Sequence, residues 1–265
     1  MNNSLIKKYL KLLILSFLLI LFVSTTLINN TLLNEKYHLN KMNKNYYNKL
    51  NEEIYESIKL ETMSSGFDEK IINNFYSTKD IKNDVLEYMN YIFDKSNEEL
   101  DLSNIKNNTV NSVNKYIKDN NITEFDDVSI NAYVNAVVDI YKEKITVMNI
   151  PKILKNRISK LHKILFIFDI ILLLVIAIFM LLNRKNIFEY IFIPVNTLSI
   201  IYIFTSIMIN LKIDIKHLLV ITYSISDYIR LILNNISNSL LITGIILLIL
   251  SIFFNILYEL KIVKK

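Results

Sequence analysis

The stretch ILFIFDIILLLVIAIFMLL, residues 164–182, decides the architecture of this chain. Its nineteen positions hold a single charged residue, Asp169. A helix of that length rises about 28 Å, close to the ~30 Å thickness of a bilayer's hydrocarbon core. A helix lying on a water-soluble core keeps one polar face, and this stretch has none. Three other runs share its character, at residues 12–28, 190–209 and 240–258. The third span contains Pro194 and Asn196, and the fourth contains Gly244 and Asn255. The first run also has the length of a signal-peptide core. No A-x-A cleavage site follows Ser24-Thr25-Thr26, so it reads as an uncleaved anchor.

Charge is concentrated between these runs. Residues 30–162 hold 18 Lys/Arg against 20 Asp/Glu, while the rest of the 265-residue chain holds 12 against 5. The net charge of +5 therefore comes from membrane flanks rather than from a basic face on a folded domain, which argues against nucleic-acid binding. The chain has no cysteine, so disulfides, thiolate metal sites, a Cys nucleophile and lipoprotein acylation are all excluded. Abundant Asn, Lys, Ile and Tyr beside two Gly and two Pro suit coding by an AT-rich bacterial genome.

These features predict an all-α protein: a four-helix transmembrane bundle with an extracytoplasmic α-helical bundle inserted between the first and second spans. Residues 1–28 form the tail and first span, residues 29–163 the external domain, and residues 164–265 the other three spans. Short-loop charge sets the orientation, because Lys/Arg collect on the cytoplasmic side. Lys7, Lys8, Lys11, Arg184, Lys185, Lys261, Lys264 and Lys265 all fall inside when both termini are cytoplasmic in a bacterial cell membrane. Lys152, Lys155, Arg157, Lys160 and Lys163 then lie outside, on a long segment of the kind that crosses largely regardless of charge.

In residues 211–237, Leu218, Ile221, Ile225, Ile229 and Ile232 recur at helical spacing opposite Ser224, Asp227, Arg230 and Asn234. The pattern predicts an amphipathic segment in the outer interface. A fifth span is the rival reading.

The external domain reads as helices throughout. Leu39, Met42, Tyr46, Leu50, Ile54 and Ile58 form one apolar stripe, ending at Ser64-Ser65-Gly66. A short helix runs through Phe75, and Ser77-x-x-Asp80 predicts a capped helix with Ile81, Val85, Met89, Ile92 and Phe93 on one face. An Asn-rich helix over residues 101–116 follows. Thr123-x-x-Asp126 predicts the cap of the next helix, whose face is Val128, Ala132, Val137, Ile140 and Tyr141. Pro151 then opens a basic amphipathic stem continuous with the second span. Its basic residues, Lys152, Lys155, Arg157, Lys160 and Lys163, are candidate contacts for lipid headgroups or another anionic surface.

Catalytic chemistry finds little support. His38, His162 and His217 are dispersed, and no phosphate loop, nucleophile elbow or H-E-x-x-H motif occurs. No cofactor and no metal are expected, and the chain reads as non-enzymatic. Asp169, Asn196 and Asn255 are the candidate polar groups within the spans. An intramembrane carboxylate marks an ion path or a partner contact, and the two amides are placed to hydrogen-bond across the bundle. The expected partners are the lipid bilayer and an envelope or membrane protein. Oligomeric state is not legible.

Residues 64–93, SSGFDEKIINNFYSTKDIKNDVLEYMNYIF, resemble membrane proteins of unknown activity from low-GC Gram-positive bacteria, the likeness resting on positions around Gly66, Val85 and Tyr88. It implies a bacterial membrane location and carries no activity. The order of one span, an external domain and three spans also resembles FtsX- and MacB-like permeases, and implies a transport role as the alternative. Those families have a cytoplasmic coupling element after the second span, where this chain has only the short turn at 183–188.

Overall fold

A computed structural model of the chain describes residues 3–98, 100–123, 125–146, 152–184, 187–213 and 223–263. The helices are α1 (Asn3–Asn30), α2 (Glu35–Lys41), α3 (Lys44–Ser64), α4 (Thr78–Ile92), α5 (Ser103–Asp119), α6 (Asp127–Ile145), α7 (Lys152–Leu182), α8 (Ile187–Lys212) and α9 (Tyr223–Val263). One 3₁₀ turn, Glu69–Asn74, joins α3 to α4, and the described residues contain no strand. The chain divides into two compact units. The first comprises Met1–Asn34, Leu161–Leu218 and Ile229–Lys265, and the second Glu35–Lys160 and Leu219–Tyr228.

The first unit holds the four apolar helices. Leu5–Asn30, Arg157–Leu182, Ile187–Leu211 and Tyr223–Leu260 are each long and apolar enough to cross a membrane. The chain is thus a multi-pass membrane protein by helix length and composition. α1 packs along α8, and Leu12, Leu15 and Tyr190 form a buried cluster against Phe179 and Met180. Lys8 pairs with Glu189, and the Lys11 ammonium donates to Asn183 Oδ1 at 2.9 Å. The start of α1 and the α7–α8 turn therefore share one end of this unit.

The stem and second span form one helix, α7, as the sequence predicts. The separate outer segment expected over 211–237 does not appear as such. Its residues from Tyr223 onward belong to α9, a 41-residue helix about 60 Å long. Neither Gly nor Pro occurs between Tyr223 and Thr243, so nothing stops the helix before the fourth span begins. Leu218, Ile221 and His217 lie outside the described residues.

The second unit is a helical bundle. Leu50, Ile54 and Ile58 of α3, Ile81, Val85 and Ile92 of α4, and Val113, Val134, Val137 and Tyr141 of α5 and α6 are all nearly or fully buried, with α3 packed on α4 and α6 and α5 on α6. The predicted single stripe is split, because Asn43 caps α3 by accepting from the Tyr46 N–H. Ser77 and Asp80 form the expected capping box at the start of α4. On α6 the cap is Asp126 itself, whose carboxylate accepts the Ser129 N–H at 2.8 Å. The buried face of α6 is also rotated from the expected one. Val128 and Ala132 are exposed, while Tyr133, Val134, Val137, Tyr141 and Ile145 face inward. Aromatic packing fixes that rotation. Tyr133 lies 4.7 Å from the Phe67 ring and its hydroxyl bonds Thr62 at 2.7 Å.

α3, α4 and α5 end in the same way. A residue with positive φ follows each helix, Gly66 (81°), Asp94 (62°) and Asn121 (51°), and the residue after it returns its N–H to a carbonyl five positions back. With two glycines in the whole chain, Asp and Asn serve at two of the three left-handed positions.

Candidate functional site

Asp169 sits on α7 within a membrane-crossing stretch, half-buried. Thr25 and Thr26 of α1 both donate to its carboxylate, Thr26 to Oδ2 at 3.2 Å. The neighbouring Ser24 bonds the Tyr202 hydroxyl of α8 at 3.0 Å. Three consecutive hydroxyls on α1 thus engage two other helices. A carboxylate held by two hydroxyls has its charge partly compensated inside the bundle. The arrangement reads as an interhelical staple. In the sequence Ser24-Thr25-Thr26 entered only the question of signal-peptide cleavage. Nothing local linked Thr25 to a residue 144 positions away.

Asn196 and Asn255 are not joined to each other. Among the described residues, Asn196 contributes only its backbone carbonyl, which accepts the Ser199 hydroxyl at 2.7 Å. The polar contact between α8 and α9 is made elsewhere. Ser206 and Ser237 bond at 2.9 Å, and the Asn210 amide donates to Ser237 Oγ at 3.0 Å. At Gly244 a Cβ would meet Ile203 Cγ1 at 2.7 Å and the Ser199 carbonyl at 3.1 Å, so only glycine permits this approach. Of the basic stem, Arg157, Lys160 and Lys163 are exposed and enter no ion pair among the described residues. The side chains of Lys152 and Lys155 lie outside the described residues.

Within the second unit, α2 and α3 grip residues 223–228 of α9. Glu53 accepts both the backbone N–H of Ser224, at 2.8 Å, and its hydroxyl, at 2.6 Å. The carboxylate thus holds both the backbone and the side chain of Ser224. One turn back on α3, Lys49 pairs with Asp227. His38 of α2 hydrogen-bonds the buried Tyr228 hydroxyl, and the Tyr46 ring lies 5.9 Å from the Tyr228 ring. Burial pushes the Tyr46 phenol well above its ordinary range. Ile225 and Tyr228 fill a space beside Val85, Tyr88, Met89 and Ile145, leaving only about 10 Å³, at the limit for one water.

Sequence reasoning placed Ser224 and Asp227 on a polar face but found no partners for them. The available signal is the spacing of Tyr46, Lys49 and Glu53, which share one face of α3. His38 is buried in this dock, and His162 is exposed on α7. No family model matches the chain, and no curated protein or solved structure is found to be similar to it.

Proposed function

We propose that this is a non-enzymatic, multi-pass protein of a bacterial cell membrane whose second unit lies outside the cytoplasm and binds an envelope component, so reporting on the cell surface. The observation that carries the reading is the grip on α9. A bundle with its own buried core holds the first described turns of α9 through Glu53, Lys49 and His38. The same helix continues through an apolar stretch to Leu260. The Lys49–Asp227 pair is partly exposed, and an ion pair of that kind gives way more easily than a buried apolar core. A ligand that shifts α2 or α3 therefore has a direct line to α9.

The orientation rests on short-loop charge. The shared end of Lys8, Lys11, Asn183 and Glu189 in the first unit supports it. Because the chain lacks cysteine, single substitutions report topology cleanly. Asn73→Cys should react with an impermeant thiol reagent in intact cells, whereas Asn186→Cys and a C-terminal Cys should not. Protection of Asn73→Cys would place the bundle in the cytoplasm and overturn the reading. Co-purification of an ATPase with the full chain would move the protein to the permease-like alternative.

A further inference from the structure

Helix α4 presents three faces. Ile81, Val85, Met89 and Ile92 are buried in the core of the second unit. Asp80, Asp84 and Glu87 line a cavity of about 190 Å³ on another side. On the third, Thr78, Lys82 and Leu86, each one turn apart, line a cleft of about 430 Å³ shared with α2 and α3. That volume lies in the ~300–1,000 Å³ range of small-molecule sites.

The cleft combines two chemistries. Leu39, Met42, Tyr47 and Leu86 give it apolar walls, and Lys44 and Lys82 bring two ammonium groups. Neither lysine has a carboxylate partner among the described residues. Two unpaired cations beside an apolar surface complement a molecule with an apolar body and an anionic head.

We infer that the α2–α3–α4 cleft is a binding site for a single-chain amphiphilic carboxylate, with the chain against Leu39, Met42, Tyr47 and Leu86 and the head between Lys44 and Lys82. One small-molecule volume accommodates one chain, not a diacyl lipid or a peptide helix. The cleft uses the helices that also carry His38, Lys49 and Glu53. A ligand seated there bears on the elements that hold α9. The inference rests on the reading of the second unit as a binding module and gives that module a ligand class.

The test uses the full chain in nanodiscs of zwitterionic lipid, with Asn48→Cys in the cleft wall as the reporter. Decanoate should slow labelling of Asn48→Cys by a thiol reagent and leave Asn73→Cys, which is outside the cleft, unchanged. Extending the chain from octanoate to decanoate should tighten protection about fourfold per methylene until the cleft is full. Decanol should protect at least tenfold more weakly, and decyltrimethylammonium not at all. A combined Lys44→Gln and Lys82→Gln variant should lose at least tenfold, while Lys59→Gln should match the parent. Equal protection by all three head groups, equal slowing at Asn73→Cys, or no protection by decanoate would overturn the site. Failure here leaves the topology experiment standing. Conversely, Asn73→Cys protected in cells would overturn the orientation without touching the cleft.

Discussion

The two units differ most in what they expose. The helical bundle buries Ile54, Ile58, Ile81, Phe75 and Val137 and leaves its lysines and, Glu35 apart, its carboxylates at least partly exposed. In the apolar helices serines share the interior with Leu15 and Leu198, and large apolar side chains face outward. Ser199 and Ser237 are fully buried, while Leu182 is 79% exposed and Leu174, Phe204 and Ile249 also face outward. Apolar burial stabilises a fold only where the alternative is water. Among lipid chains that driving force vanishes, and close packing, small residues and interhelical hydrogen bonds take its place. One chain thus answers to two solvents, and its exposed residues say which solvent each part meets.

Substitutions can break that contrast. The largest effect is expected for Ile54→Ala, which opens a cavity in a fully buried site and should destabilise the second unit by about 2–5 kcal/mol. Leu174→Ala, on an exposed apolar face, should shift thermal unfolding of the full chain hardly at all. If the two shifts proved equal, the distinction between the units would fall. Gly244→Leu comes next. Its side chain must displace Ile203 or the backbone of α8, and overpacking of this kind costs about 1–3 kcal/mol. A melting temperature unchanged by Gly244→Leu would show that the helices do not meet there.

Ser77→Ala removes one half of the α4 capping box and should cost about 1 kcal/mol, readable as faster amide exchange in the first turn of α4. Ser237→Ala, the corresponding loss of a polar contact between α8 and α9, should cost only about 0.6 kcal/mol.

The smallest effect concerns pH. Burial raises the Asp84 carboxyl above its ordinary value of 3.8, against the opposing pull of the Tyr141 hydroxyl, which donates to it at 2.5 Å. Since the folded value exceeds the unfolded one, this group's stabilisation is complete below 3.8 and is lost as pH rises through the raised value. Asp84→Asn should flatten that part of the stability profile. Asp101 and Asp126 are lowered, chiefly by hydrogen bonds from Ser103 and Ser129, and act in the opposite sense. Their contribution is present above the ordinary value and fades as pH falls.

The spans were legible because hydropathy is a local property. Residues 164–182 announce themselves without reference to any other part of the chain. The capping box at Ser77 was legible for the same reason, since its two members lie three residues apart. Contacts that depend on distant partners were not. Asp169 stood out as an intramembrane carboxylate, but its threonine partners belong to another helix. The inward face of α6 followed from the ring packing of Phe67 on Tyr133, which a stripe of apolar residues does not encode. The cleft was illegible too, because it needs α2, α3 and α4 together.

The serine contact between α8 and α9 has a mechanical consequence. Ser237 Oγ lies within reach of the Ser206 hydroxyl, the Ser206 carbonyl at 3.2 Å and the Asn210 amide at 3.0 Å. Either hydroxyl can donate, and a rotating O–H can trade one acceptor for another at little cost. Such a contact glues the helices without notching them, so it resists separation more than it resists sliding. The notch is Gly244, where shape alone fixes the axial position of α9 against Ile203. Gly244 is therefore the detent of this pair and the serines its lubricant.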